Sequence, residues 1–197
     1  MSLLAVRDAI YKRLHQSYMR PAGYALRPSR SEQHTPPFHR ALALRSQPWN
    51  TAESVDFDLE IVVAHDDYNP YKANGLKVGL GGQDVSLLSW GLAQIQNSSR
   101  RYWTLNSDAD LEAVEGQVRM AIEKHAIPIL RRTETLEGLV SLYAERGPSA
   151  GYKPHSWALL KMGNIEAARS VVRAAIDTAP HEKAQLHAQQ WLASIDA

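Results

Sequence analysis

From Val55 to Val63, apolar and acidic residues alternate along the chain. Val55, Phe57, Leu59, Ile61 and Val63 fall on one face; Asp56, Asp58 and Glu60 fall on the other. Period two marks a strand of an antiparallel sheet with one face buried and one in water. A second strand is predicted over Phe38–Ser46, with Leu42 and Leu44 on one face, and a short extended stretch over Tyr24–Arg27, opened by Gly23. Between those two, Pro28 to Pro37 is polar and proline-rich and predicts a mobile surface loop. Asn74-Gly75 is a strong turn signal, because both residues tolerate positive φ. Leu76 to Leu80 is the candidate return strand, after which Gly81 and Gly82 break the pattern.

Elsewhere the apolar period is helical. Leu3, Leu4, Val6, Ile10, Leu14 and Met19 alternate with charged residues and predict an amphipathic helix over 3–19. It stops near Arg20-Pro21, since proline disfavours helical geometry in the residue before it. Leu87, Leu88, Trp90, Leu92 and Ile95 indicate a short helix or irregular apolar segment. Ser107 and Asp110 have capping-box spacing. They open a helix whose apolar stripe is Leu111, Val114, Val118, Ala121, Ile122 and His125 and whose end is limited by Pro128. A further helix is expected from Thr135 to Glu145, ending at Gly147-Pro148. Together these elements predict an α+β fold, a small antiparallel sheet packed with helices.

Two resemblances add to this reading. The segment RRYWTLNSDADLEAVEGQVRMAIEKHAIPIL, followed by TLEGLVSLY, resembles the uncharacterised bacterial family called domain of unknown function 4304. The matching features are Trp103 before a polar gap, the helix from Asp108, Ile127-Pro128 with Leu130, the helix after Thr135, and Gly23-Tyr24 after the first helix; they cover residues 3–145. The resemblance implies an α+β fold with no established activity. Its association with toxin–immunity gene neighbourhoods implies a binding role. The run WALLKMGNIEAARSVVRAAIDTAP resembles the second half of a tetratricopeptide repeat. Gly163 takes the inter-helix turn, Ala168 and Ala175 the close helix approach, Val172 the core between, and Pro180 the end. Tyr152 and Ser156 match the preceding helix, and His181 to Ile195 forms a cap through Leu186, Trp191 and Leu192. A single copy lacks the neighbours a peptide-binding superhelix needs. The expected organisation is therefore an α+β domain over 1–147 and a docked helical hairpin over 148–197.

Composition narrows the function classes. Lys+Arg (22) and Asp+Glu (21) nearly cancel, so the basic excess of a nucleic-acid binder is missing. Zero cysteines exclude disulfides, thiolate zinc sites and a cysteine nucleophile. The N-terminal segment lacks the long apolar core of a secretory signal, and no stretch reaches the ~20 apolar residues of a membrane span. A cytoplasmic location is the expectation.

Among candidate sites the acidic ladder stands out. Asp56, Asp58 and Glu60 project about 7 Å apart along a strand face, and Asp66 and Asp67 extend the ledge. Such a surface suits a basic protein partner, for example a nuclease toxin held by an immunity protein. It is equally the pattern of a solvated face, or of one paired with Arg40 or Arg45 on the neighbouring strand. The eight histidines show no metal-ligand spacing, and no cofactor is implied. No nucleophile elbow or phosphate loop is present, and Gly79, Gly81 and Gly82 lack the context of a dinucleotide fingerprint. Arg100, Arg101, Tyr102 and Trp103 match a base-stacking cluster, or a core tryptophan with arginines passing it. The leading expectation is a non-catalytic, protein-binding domain. The alternatives are an enzyme built from His65, Asp66 and the Arg100/Arg101 region, and a peptide-binding scaffold using the C-terminal hairpin.

Overall fold

The computed structural model describes residues 2–68, 86–147 and 151–196. The Asn74-Gly75 turn and the strand expected over Leu76–Leu80 lie outside the described residues. The fold is α+β. The chain divides into two compact units, Met1–Arg131 and Arg132–Ala197.

The first unit is organised around strand β4, Val55–His65, whose odd-numbered apolar residues from Val55 to Val63 are all at most 2 % exposed. Burying that row removes five large side chains from water, at about 1.5–3 kcal/mol each. One edge of β4 pairs with β3, Phe38–Ser46, which pairs with β2, Arg30–Thr35, and that with β1, Ala25–Arg27. The other edge is shared: β6, Trp103–Leu105, pairs with Val55–Phe57, and β5, Leu88–Gly91, pairs with Glu60–Val63. Every pairing is antiparallel.

Helix α1, Leu3–Leu14, continues as a π-helical turn to Met19 and buries Leu3, Val6, Ile10, Tyr11, Leu14, His15 and Met19. The polar stretch expected as a mobile loop is instead strand β2. Its sequence, RSEQHT, offers no apolar alternation because only Ser31 reaches the interior. That hydroxyl is fully buried and lies 2.9 Å from both Tyr11 Oη and His15 Nδ1. Tyr11 Oη also donates to the Leu42 carbonyl at 2.8 Å. The tyrosine has one proton to give, so Ser31 donates to Tyr11 and His15 donates from Nδ1 to Ser31. A directed chain of three hydrogen bonds thus ties α1 to β2 and β3, and burial pushes the Tyr11 hydroxyl up to about 12.

Short helix α2, Leu92–Gln96, follows β5 directly. Helix α3, Leu111–Ala121, is entered through a 3-10 turn over Asp108–Asp110. Asp110 Oδ2 accepts from the Asn106 and Ser107 backbone N–H groups, the reach-back half of the expected capping box. Two expectations for this helix are overturned by one feature. After Ala121 the chain makes a π-helical turn, Ile122–Ala126, and continues as α4, Ile127–Arg132. The wide turn inserts a residue and shifts the buried stripe, which runs Val114, Val118, Ile122, Ala126 and Leu130 rather than through His125. It also accommodates Pro128, whose ring would clash with the carbonyl four residues back in a regular helix. The helix therefore passes through the proline.

The second unit contains α5, Leu136–Arg146, then α6, Tyr152–Lys161, α7, Ile165–Asp177, and α8, Glu182–Asp196. Thr135 caps α5 by accepting from Gly138 N at 3.1 Å. Gly138 itself permits a close approach: a Cβ there would lie 1.9 Å from the Arg132 carbonyl oxygen. The C-terminal hairpin is present as α6 and α7. Gly163, at φ 75°, donates to Leu160 O while Asn164 N donates to Leu159 O, which closes α6 in a Schellman turn. Asn164 then caps α7 through Ala167 N. Ala168 and Val172 are fully buried at the helix contact. Helix α8 covers the pair through Ala188 and through Trp191 Nε1, which donates to Ser156 Oγ at 2.8 Å. Leu186, expected in that contact, is 51 % exposed.

Candidate functional site

The acidic face of β4 is only partly a surface. Asp58 and Glu60 are each 8 % exposed, so the reading of three carboxylates projecting into water is corrected at two of them. Glu60 lies across from Ala43 and Gly91 in the ladder. Its two carboxylate oxygens accept from Arg45 Nε and Ser89 Oγ. That is the pairing with Arg45 which the sequence left open. Arg40 is directed elsewhere, donating to the Leu130 carbonyl.

Asp58 sits where the outer edge of β4 passes from β6 to β5, a stretch with no strand partner on that side among the described residues. Its carboxylate fills the gap by capping α2: Oδ1 accepts from Ala93 N at 2.9 Å and from its neighbour Leu59 N at 2.8 Å. Helix N-termini present unpaired amides that a carboxylate satisfies. The N-terminal residue of that cap is Gly91, where a Cβ would lie 2.4 Å from Asp58 Oδ2. Burial, with Glu60 close by, outweighs these backbone hydrogen bonds and pushes the Asp58 carboxyl up to about 6.

Asp56 has a different role. Its Oδ2 accepts from Trp49 Nε1 at 2.9 Å and its Oδ1 from Thr104 Oγ1 at 2.6 Å. The Trp49 ring meets Tyr102 edge to face at 5.6 Å. Trp49 is 54 % exposed. One carboxylate therefore fixes an exposed indole against a second aromatic ring at the β6 end of the sheet. Sequence reasoning passed over Trp49, which lies outside every periodic segment.

Asp66 and Asp67 follow the last residue of β4 and are both exposed. Asp66 N donates to the Pro37 carbonyl, which places its side chain beside the β2–β3 turn. There Asp66 Oδ1 lies 2.8 Å from His39 Nε2. His39 pairs across the hairpin with His34, and their rings stack at 3.6 Å with 13° between planes. His65 is 8 % exposed, packs edge-on to Phe38, and accepts the Asp67 N–H at Nδ1. The enzyme alternative requires His65 and Asp66 to meet Arg100 and Arg101. Those arginines precede Trp103, whose partner Phe57 is eight residues from His65 along β4, roughly 25 Å of strand. The two pairs lie at opposite ends, and Arg100 is engaged with Gln117. Trp103 is a core residue, 1 % exposed and packed on Phe57, not a stacking platform.

No family model matches this chain, and neither does any curated protein or solved structure. Among the described residues no helix is long and apolar enough to cross a membrane.

Proposed function

We propose that this protein is a non-catalytic protein-binding domain whose contact surface is centred on Trp49, Tyr102 and Asp56. The observation that carries the reading is the exposed Trp49 indole, held in one orientation by Asp56 and Tyr102. Tryptophan and tyrosine dominate binding energy where they are anchored before contact, because little rotamer entropy remains to be lost on association. Asp56 adds negative charge at the rim of the patch, and a basic partner is the natural complement. The more specific form of the proposal is an immunity protein that occludes a toxin through this face. Asp58 and Glu60, engaged inside the fold, drop out of the contact surface, and Asp66 and Asp67 stand at the other end of β4.

The test is quantitative affinity capture from the native cell, comparing the wild-type chain with Trp49→Ala and Asp56→Lys. Met120→Ala, which alters another exposed apolar residue, serves as the control. A specific partner recovered with wild type and Met120→Ala, and lost with both patch variants, is the expected outcome. Recovery of the same proteins by all four chains would remove this surface from consideration.

A further inference from the structure

We propose that His34, His39 and Asp66 form a binding site for a borderline divalent transition-metal ion of the Zn2+, Ni2+ and Cu2+ class. Their ligating atoms all lie within 4.8 Å of one another. The fold brings them together by two separate devices. The turn at Pro36-Pro37 folds the hairpin so that His34 and His39, five apart in sequence, stand opposite one another. The backbone bond from Asp66 N to the Pro37 carbonyl, 2.9 Å, then fastens the end of β4 to that same turn.

The donor set decides the ion class. Two imidazoles with one carboxylate suit zinc, nickel, copper and ferrous iron, whereas calcium and magnesium require mainly oxygen ligands. Zinc bonds of about 2.1 Å place tetrahedral ligands about 3.4 Å apart. The Asp66–His39 contact, 2.8 Å, already falls inside that distance. The stacked imidazoles point side by side and need ring rotation to converge. Room for it exists, because His34 and Asp66 are exposed and His39 is half-buried. With three protein ligands, the remaining coordination positions face solvent and belong to water or to an incoming donor group. Backbone hydrogen bonding positions all three residues before the ion arrives, so little main-chain order has to be created on binding.

The experiment is calorimetric titration of the full chain with ZnCl2 and, separately, with NiCl2, MgCl2 and CaCl2. The expected result is one equivalent of Zn2+ and of Ni2+ bound, with no uptake of Mg2+ or Ca2+. His34→Ala, His39→Ala and Asp66→Ala should each weaken Zn2+ binding at least about tenfold. His187→Ala, an exposed histidine of the C-terminal unit, should leave it unchanged. Circular dichroism checks that the variants remain folded. Ring-nitrogen NMR of the unmutated protein gives an independent readout: only His34 and His39 should shift strongly at one equivalent of Zn2+. The proposal is overturned by no stoichiometric Zn2+ uptake, by a His34→Ala/His39→Ala chain that binds as well as wild type, or by shifts confined to other histidines.

Discussion

Replacing Asp58 by Asn should abolish a specific pH dependence of stability. In the folded chain the carboxyl is raised from its ordinary 3.8 to about 6. Protons are therefore held more tightly by the native state than by the unfolded chain between those values. Where the native state binds more protons, unfolding free energy falls as pH rises. A carboxyl raised that far contributes about 3 kcal/mol, present in full below about pH 4 and lost by the time the pH passes above the native value. The Asn side chain keeps an acceptor for Ala93 N but cannot ionise. Asp58→Asn should thus gain on the wild type by about 3 kcal/mol as the pH is raised from about 4 to about 7.

The assay is urea unfolding of both chains at several pH values, followed by circular dichroism. The difference between the two curves is the quantity of interest. Glu32 and Glu145, held low by Arg27 and Arg132 respectively, favour the fold more as pH rises. Their contributions, and those of the histidines, are common to both proteins and cancel. The charge of nearby Glu60 helps to raise Asp58 and is part of the effect being measured. A wild-type-minus-variant difference that stays flat across the window would refute the account of Asp58 as a buried, destabilised carboxylate.

Four further outcomes follow from the packing and hydrogen bonding. Gly116 lies in α3 with nothing within 4 Å of an added Cβ, so Gly116→Ala should raise stability by about 0.5–1 kcal/mol. Gly138→Ala drives a methyl against the Arg132 carbonyl and should cost about 3 kcal/mol or more; equal melting temperatures for the two variants would contradict this. Ser31→Ala removes the middle of the buried chain and leaves the His15 Nδ1–H without its partner, a loss of about 1–3 kcal/mol in chemical denaturation. Ring-nitrogen NMR should find neutral His15 carrying its proton on Nδ1, and a proton on Nε2 alone would break the inferred direction of the chain.

Much of the fold is legible in the sequence because burial leaves a period. The odd-numbered residues of β4, the bounds of β3, the amphipathic face of α1 and the Gly163 turn all follow from side chains that must leave water or from a backbone that must take positive φ. What escapes has no apolar signature. Strand β2 has one inward residue, a serine, whose burial makes sense only beside Tyr11 and His15, from another part of the chain. The π-helical turn at Ile122–Ala126 shifts the stripe by one position, a change that local propensity does not encode. The spacing of His34 and His39 is visible, but its meaning depends on reading Thr35-Pro36-Pro37-Phe38 as a tight turn rather than a loop.

The acidic ladder shows why alternation alone misplaces a binding surface. Period two states which residues share a face, and it is right about Asp56, Asp58 and Glu60. It says nothing about what lies alongside that face. The outer edge of β4 is divided between two short strands, and the break between them needs a polar group to satisfy the start of α2. Asp58 supplies it, and Glu60 is drawn in by Arg45 and Ser89. Both carboxylates are thereby committed to the sheet, and reversing their charge would destabilise the unit and so confound any effect on a partner. Asp56 alone retains a solvent-facing role, and it acts through the aromatic ring it holds. A charge-reversal experiment on this strand is consequently informative at position 56 and misleading at 58 and 60.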